Sequence, residues 1–458
     1  MHPRLRVAAL ATLAIAALTA LATAPAAHAA WSPARTLADP AAENLAAAGN
    51  AQRAEVFAWR VTTKRFLRLP AQTGFASYVR AKVRLPSGAL GASRILSSTR
   101  EIVANPAVAL DAAGNTTVVW SQAGSHVRIM GAYRRNGGGF GKPFEIGRTS
   151  AFISSRPAIA VAPNDAAVIA WNGGGRMQVA RRPAGRCRAN TAGLARGCFG
   201  RPQFFVRGAD QAVATTPGGT AFVVWEATVR RAGAVHTALR LTIAPPGGLF
   251  GPARPIPSPG DVSQPALALG AHGTAIIAWR GSLPAGGEQN ADATIFAAVR
   301  NGNGVLAGPQ PVSLLPGSNP QVRVNGQGEA ILAWDQRNPT PQNPDGPEVA
   351  TSLRGAASGA FAAPVTISPA GIAAGSASLA VDATGSAILV YTASLLDPGL
   401  PGGGILAVSH RRPPGGVFGP PQSLPAQFSG AFVFAAGALV SAASGGSEGR
   451  TGLSDYVP

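Results

Sequence analysis

Short apolar runs separated by turn residues follow one another along almost the whole chain. Residues 105–120 are representative: NPAVALDAAGNTTVVW has two apolar runs around a turn rich in Gly, Asn and Asp. This arrangement predicts a β-hairpin. The second run is apolar throughout, which predicts a strand covered on both faces. No stretch shows the 3.6-residue period of a helix, so the pattern predicts an all-β protein.

The same phrase occurs seven times, and each copy closes on an aromatic residue. These aromatic residues lie 51 to 61 positions apart and are Trp59, Trp120, Trp171, Trp225, Trp279, Trp334 and Tyr391. Six of the seven tryptophans thus occupy one repeated position. A repeat of this length predicts one structural unit that stacks many times.

Each unit continues with a third, alternating run such as ATIFAAVRNG and ends in a proline-containing phrase such as FGKPFEI. Proline is typical of an edge strand, where a missing N–H costs little and discourages pairing with other chains. Four strands in a unit of about fifty residues predict the blade of a β-propeller. A helical solenoid would show helical spacing, and an open β-solenoid would have shorter repeats.

The two ends of the chain complement each other. Residues 31–35 (WSPAR) resemble residues 250–254 (FGPAR), so the chain begins with a fourth strand that lacks the first three. Residues 431–457 look like three strands without a fourth. We therefore predict eight blades, closed by N-terminal and C-terminal strands in one blade, with seven as the alternative if the C-terminal segment packs on the side.

This pattern resembles the repeat propellers of secreted bacterial proteins, with a general likeness to the sialidase and NHL groups. It departs from the sialidases, because their Asp-box turn, S-x-D-x-G-x-x-W, does not occur. Sialidase-like hydrolysis would also require a tyrosine nucleophile beside a carboxylate base. Tyr78, Tyr133, Tyr391 and Tyr456 are the only tyrosines, and none stands in such a context. The resemblance therefore implies a fold more than an activity.

Residues 1–29 combine a basic start, an apolar run and a small-residue A-H-A end, which is the layout of a secretory signal peptide. The alternative is an uncleaved membrane anchor, for which the run is just long enough. We expect residues 30–458 to form a single propeller domain, secreted or held at the cell surface. Cys187 and Cys198, the only cysteines, then predict a disulfide that closes one loop.

The chain is strongly basic, with 39 Lys and Arg against 20 Asp and Glu and a net charge of +19. Only three of the basic residues are lysine, so part of this charge can reflect codon usage. Arginines recur near the end of the third strand: Arg84, Arg134, Arg135, Arg181, Arg182, Arg240, Arg300, Arg354, Arg411 and Arg412. They predict either a basic belt on the outer rim that binds polyanions, or stacking of each arginine on a neighbouring Phe.

A polar residue follows several of the repeated aromatic residues, where second strands emerge on one face. Arg60, Glu226, Arg280 and Asp335 are our candidates for a polar ring that binds a ligand. The alternative is that they are ordinary strand-end residues, since Ser121, Asn172 and Thr392 occupy the same position. The connections from second to third strands are long and unlike one another, and variable loops on a rigid scaffold are common binding sites.

No motif for a metal, a nucleotide or another cofactor occurs, and no residue stands out as catalytic. We therefore favour a monomeric binding or scaffold module over an enzyme, with a glycan, a cell-wall component or another protein as partner. Nucleic acid is disfavoured by the predicted export. The alternative is an extracellular carbohydrate-active enzyme, a glycosidase or lyase, with its site on the variable-loop face. Two opposed carboxyl groups with raised pKa values would favour the enzyme.

Overall fold

Eight antiparallel sheets form the fold of this computed structural model. The structure describes residues 30–38, 42–150, 156–185, 198–270, 273–282, 293–339, 341, 346–357, 359–369, 372–382, 384–394, 405–424, 431–436, 439–445 and 451–457. These residues form 33 strands and no α-helix. They include no helix of the length and apolar character that crossing a membrane requires. The predicted signal peptide, residues 1–29, lies outside them.

The first two strands of the chain, β1 (Ala30–Trp31) and β2 (Arg35–Ala38), are followed by seven blades of four strands each. Blade 1 consists of β3 (Ala42–Gly49), β4 (Glu55–Arg68), β5 (Thr73–Arg84) and β6 (Arg94–Ile95), and blade 2 of β7 (Ile102–Leu110), β8 (Thr116–Ala123), β9 (Val127–Arg134) and β10 (Phe144–Thr149). Blade 3 consists of β11 (Ala158–Val161), β12 (Ala167–Asn172), β13 (Met177–Arg182) and β14 (Gln203–Phe204). Blade 4 consists of β15 (Gly208–Thr215), β16 (Ala221–Arg231), β17 (Ala234–Ala244) and β18 (Arg254–Pro255).

Blade 5 consists of β19 (Val262–Leu269), β20 (Ala275–Ser282), β21 (Ala293–Arg300) and β22 (Leu306–Pro311). Blade 6 consists of β23 (Gly317–Val324), β24 (Ala330–Arg337), β25 (Pro347–Arg354) and β26 (Val365–Thr366). Blade 7 consists of β27 (Ala373–Val381), β28 (Ala387–Ser394), β29 (Ile405–Arg412) and β30 (Gln422–Ser423). The last three strands are β31 (Ala431–Ala436), β32 (Leu439–Gly445) and β33 (Thr451–Val457).

The eighth blade is composite, as predicted. Strands β31, β32 and β33 supply its first three strands, and both β1 and β2 pair with the outer edge of β33. Trp31 lies opposite Tyr456, and Arg35 lies opposite Leu453. The first strand of each blade contacts the first strands of both neighbouring blades, including β31 with β3, so the ring closes. The prediction of an eight-bladed propeller is confirmed.

The repeated aromatic residues explain why the blades stack. Each one is at most 1% exposed and packs between its own blade and the preceding one. Trp225 of blade 4, for example, belongs to one buried cluster with Val168, Ala170 and Val179 of blade 3. Trp59 of blade 1 likewise packs against Phe434 and Leu453 of blade 8. A second strand therefore has apolar neighbours on both faces, which accounts for its unbroken apolar sequence.

Tyr391 replaces tryptophan in blade 7, and its hydroxyl has a matched partner. The hydroxyl lies 2.9 Å from Nε2 of His410, and Nδ1 of His410 lies 2.8 Å from the carbonyl oxygen of Gly419. Because a carbonyl can only accept, Nδ1 carries the proton and Nε2 accepts from the hydroxyl. Burial raises the pKa of Tyr391 to about 12 and lowers the pKa of His410, so both groups are neutral in this seam.

Candidate functional site

Second strands end and third strands begin on one side of the ring, which we call the loop face. The long connections 60–77, 226–237, 280–294, 335–348 and 392–404 lie there. Of these, residues 283–292, 340, 342–345 and 395–404 fall outside the described residues. The connection 60–77 is a hairpin that extends β4 and β5. Its Phe66 and Phe75 form an exposed edge-to-face pair with ring centroids 5.4 Å apart.

A bulge interrupts the first strand of six blades just below the loop face. At each bulge one residue has a left-handed backbone, with φ between 37° and 58°: Asn44, Asn105, Asp210, Gln264, Asn319 and Ser376. Asn and Asp tolerate this conformation better than most residues. Bulges reorient side chains, and Asp210, Gln264 and Asn319 all line the central cavity of the ring.

The central cavity has a volume of about 680 Å³ and is lined by the first strands of blades 2 to 6. We call it the channel. Hydrogen bonds connect its wall from blade to blade: the Asn319 N–H donates to Oε1 of Gln264 at 2.8 Å, and the Gln211 amide donates to the carbonyl of Ala170 at 3.3 Å. The wall therefore offers amide groups held in defined positions.

Glu226 directly follows Trp225 at the loop face. It lies opposite Ala209, the residue before the channel-lining Asp210. Its carboxyl group is partly buried and has no hydrogen-bond partner among the described residues. Burial raises the pKa of Glu226 to about 7, and the negative charges of Asp210 and Asp261 add to the shift. At neutral pH this carboxyl is thus divided between its two protonation states, so it can both give and take a proton.

Asp261, the second acidic neighbour, is held by the β16–β17 hairpin of blade 4. Its Oδ1 accepts the Thr237 N–H at 2.7 Å and lies 3.2 Å from Nδ1 of His236. The hydroxyl of Thr237 in turn donates to the carbonyl of Val262 at 2.7 Å. The hairpin therefore docks on the start of blade 5 and keeps Asp261 near Glu226.

Asp335, the second predicted carboxylate, has a different environment. It accepts the Asn319 side-chain amide at 3.2 Å and the Ala377 N–H at 3.0 Å, so it links blade 6 to blade 7. Burial raises the pKa of Asp335, although these hydrogen bonds partly oppose the shift. Both carboxyl groups named from the sequence therefore have raised pKa values, but Asp335 is committed to internal contacts and Glu226 is not.

The two predicted arginines belong to other blades. Arg60 forms an ion pair with Glu43 of the paired first strand, with Nε 2.9 Å from Oε2. Arg280 lies opposite Ser263 in blade 5. The four predicted residues thus share one face and one position in the repeat. The acidic groups that act on Glu226 are instead Asp210 and Asp261.

Six of the ten arginines that recur near the ends of third strands occupy one register position. Each is the last residue of a third strand, opposite the first residue of the second strand: Arg84, Arg134, Arg182, Arg300, Arg354 and Arg412. Four of the six are buried, and Arg300 and Arg354 are half-buried. Arg182 contacts Asp165 at 2.5 Å, and Arg412 is paired with Glu329 of blade 6.

The remaining four arginines contribute little more charge to the rim. Arg135 is exposed, whereas Arg181, Arg240 and Arg411 are half-buried. Arg181 donates to the carbonyl of Pro245 at 2.7 Å and lies over the ring of Phe250. Stacking on an aromatic ring of the F-G phrase thus occurs at Arg181, and Arg182 stacks in the same way on Phe199. Because most of these side chains are buried or half-buried, the rim is not an exposed arginine belt, which was one of the two alternatives, and polyanion binding there stays an untested prediction.

Cys198 is buried against Tyr133 and Phe144, but Cys187 lies outside the described residues, so the disulfide stays a prediction. Within the described part of the chain, no group of three His, Cys, Asp or Glu side chains could hold a metal ion.

Sequence reasoning did not single out the first residue of each repeat as functional. In six of the seven repeats that residue is the bulge residue of the first strand, and in blade 3 it is Arg156. Its signal was present in the chain, because these positions read N-L, N-P, R-P, D-Q, Q-P, N-P and S-A, a run of polar residues at the start of otherwise apolar strands. Asp210 was therefore visible as a polar residue, but its place near Glu226 was not.

No protein-family model matches the chain, and no curated protein matches it. Among solved structures it is similar to the polysaccharide lyase Uly1, with 11% identity over 75% of this chain and 88% of that chain and a TM-score of 0.47. The propeller domain of the trilobed protease from Pyrococcus furiosus matches at 9% identity, 85% and 98% coverage and a TM-score of 0.45. The Hadza microbial sialidase Hz136 matches at 10% identity, 77% and 63% coverage and a TM-score of 0.36.

These matches confirm the likeness to sialidase-like propellers, while a secreted bacterial origin stays a prediction. They also correct our preference against an enzyme, because a polysaccharide lyase and a sialidase share this architecture. At such low identity the likeness shows the fold alone. The activity therefore has to be argued from the site.

Proposed function

We propose that the protein cleaves glycosidic bonds, as a glycosidase or a lyase, at the loop-face mouth of the channel. Glu226 is the group that transfers the proton. The observation that supports this role is its carboxyl group, which has no internal partner and a pKa raised to about 7. Perturbed carboxyl groups beside a cavity are characteristic of catalytic sites.

The surroundings of Glu226 suit acid–base chemistry on a sugar. In hydrolysis, Glu226 would protonate the leaving glycosidic oxygen while water adds to the anomeric carbon, assisted by Asp210 or Asp261 as the second carboxylate. In elimination from a uronate, the carboxylate of Glu226 would take the proton from C5, the C4–O bond would break as a C4=C5 double bond forms, and the leaving oxygen would take up a proton from water. Both routes need a group that exchanges a proton near neutral pH.

A saccharide is the substrate class that the channel favours. Its wall presents the amides of Gln264, Asn319 and Gln321 together with Arg156 and Asp210. Amide and charged groups of this kind hydrogen-bond the closely spaced hydroxyls of a sugar. The volume of about 680 Å³ falls within the range of ligand pockets, about 300–1,000 Å³. Export through the predicted signal peptide would bring the enzyme into contact with extracellular polysaccharides.

The test is cleavage of a panel of neutral and uronate-containing polysaccharides by the purified chain. New reducing ends report cleavage, and ultraviolet absorbance of an unsaturated product separates a lyase from a glycosidase. We expect cleavage of at least one polysaccharide, with a pH profile that has a limb near pH 7. Glu226→Gln should lower kcat by about 100-fold or more.

The matched control is Glu145→Gln, which removes a half-buried carboxylate paired with the exposed Arg148 on an outer strand. It should cleave at the wild-type rate. The proposal fails if no polysaccharide of the panel is cleaved, or if Glu226→Gln retains the rate and the pH limb of the wild type.

A further inference from the structure

One channel position breaks the pattern of the repeat. The residue four places after the first residue of the repeat is alanine in six blades and arginine in blade 6: Ala48, Ala109, Ala160, Ala214, Ala268, Ala380 and Arg323. Strand register confirms their equivalence, because each lies opposite the residue three places before the repeated aromatic residue, as in Arg323 opposite Ile331 and Ala268 opposite Ile276. Two places earlier, blade 6 has Gln321 where five blades have alanine.

Arg323 lines the channel, and its side chain is accessible to solvent. The protein atoms around the channel lower the pKa of this guanidinium, which stays exposed to water in the channel. Its Nη1 donates to the carbonyl of the adjacent Val322 at 2.9 Å. Among the described residues it forms no ion pair, whereas Arg84, Arg182 and Arg412 each have a carboxylate partner. Arg323 thus brings a positive charge with free donors into the channel and no anion to balance it.

The channel wall near Arg323 can complete an anion site. Gln321 of the same strand and Arg156 of blade 3 line the same cavity, as do the amide-bearing Gln264 and Asn319. Asp210 is the one acidic residue in the described wall. A guanidinium presents two parallel N–H donors that match the two oxygens of a carboxylate.

We propose that Arg323 anchors a binding site for the carboxylate of a uronic acid residue inside the channel. The inference rests on the proposed saccharide-cleaving function, whose substrate class it names. The alanines of the other six blades show that this position has no need of a long side chain for packing. The arginine is therefore a feature of the ligand site, and its removal should leave the fold intact.

The experiment is isothermal titration of the Glu226→Gln variant, which prevents turnover, with a uronate-containing oligosaccharide and with its carboxyl-reduced, neutral counterpart. We expect the acidic oligosaccharide to bind more tightly. Arg323→Ala should weaken its binding at least tenfold and leave binding of the neutral oligosaccharide unchanged. Arg323→Lys should weaken it less, because the charge stays but the paired donors are lost. Arg135→Ala, which removes an exposed arginine outside the channel wall, is the control and should bind as the parent does.

The inference is overturned if the parent binds no acidic oligosaccharide, or if Arg323→Ala binds it as tightly as the parent. Equal competition by inorganic sulfate would also overturn the assignment to a carboxylate. Thermal unfolding of Arg323→Ala at the parental temperature shows that a loss of binding is local. If binding depends on Arg323 but the wild type cleaves no polysaccharide, the proposed function is wrong and this inference stands. If the Arg323→Ala variant cleaves polysaccharide at the wild-type rate, this inference is wrong and the proposed function stands.

Discussion

The guanidinium of Arg84 in blade 1 is bound to the carboxylate of Asp455 in blade 8, with Nη1–Oδ1 and Nη2–Oδ2 distances of 2.7 and 2.6 Å. The two residues are 371 positions apart in the chain. Glu55, fully buried, lies 3.4 Å from the same guanidinium, and Oγ of Ser441 lies 2.8 Å from Oε1 of Glu55 and 3.0 Å from Oδ1 of Asp455. This buried cluster joins the two ends of the chain across the seam that closes the ring.

Removal of Arg84 should destabilise the closed ring strongly. Arg84→Met leaves the carboxylates of Glu55 and Asp455 buried without a cation, and breaking a buried pair in this way typically costs about 3–5 kcal/mol. Chemical denaturation measures the loss. Arg354→Met is the control, because Arg354 holds the same register position but forms no ion pair among the described residues. We expect it to lose under about 1 kcal/mol; equal losses in the two variants would contradict a special role for the closing cluster.

Glu226 should make the protein less stable as the pH rises. Its pKa is raised from 4.5 to about 7 in the folded protein. Below pH 4.5 the carboxyl group is protonated in both the folded and the unfolded protein, so it has no effect on stability. Between pH 4.5 and 7 it is protonated in the folded protein but ionised in the unfolded chain, which favours unfolding. Glu226→Gln should therefore stabilise the protein at pH 8 by about 1–2 kcal/mol, a discounted value because the carboxyl is partly exposed.

The same comparison at pH 4 is the internal control, because the wild type and Glu226→Gln should then unfold together. Denaturation curves at pH 4, 6 and 8 give the profile. A difference in unfolding free energy that is independent of pH would show that the pKa of Glu226 is not raised. The proposed catalytic role would then lose its main support.

The repeated aromatic residues should account for much of the stability of each seam. Trp225→Ala should lower the free energy of unfolding by about 3–5 kcal/mol, because it removes a fully buried indole between blades 3 and 4. Phe204→Ala, on the outer strand of blade 3 and 57% exposed, is the control and should change stability by under about 0.5 kcal/mol. A small effect of Trp225→Ala would mean that the blades are held together by something other than this packing.

The cysteine pair gives a prediction that chemistry can test directly. If Cys187 and Cys198 form a disulfide, alkylation of the denatured protein without reductant should leave both thiols unmodified, and reduction before alkylation should add two groups. Mass spectrometry counts them. Modification of either cysteine in the unreduced sample would show that the loop is not closed by a disulfide.

Some of the site was within reach of the sequence. Glu226 was named because it follows a repeated tryptophan, and Arg323 departs from a run of alanines that the aligned repeats display. The sequence could not tell which neighbours act on them. Asp210 and Asp261 lie 16 and 35 positions away from Glu226, in another strand and in the next blade, and only folding brings their charges near it.

The arginines show the opposite case. Their recurrence at the end of the third strand was plain, but the sequence left open whether they form an exposed rim or stack on neighbouring phenylalanines. The structure places six of them in one register position between blades, and two of the carboxylates that neutralise them come from other blades, as in Arg84 with Asp455 and Arg412 with Glu329. The order of charged residues along the chain does not predict which of them will form buried ion pairs in the folded protein.

The sequence by itself determined the strand content, the number of blades and the composite closure. A propeller is built from local hairpins, and each repeat contains the apolar pattern and the turn residues that form them. The tertiary structure alone decided which polar groups face the channel, which arginines are neutralised and which carboxyl is left without a partner. These properties depend on distances between blades, and the free energy of a charge depends on every group packed around it.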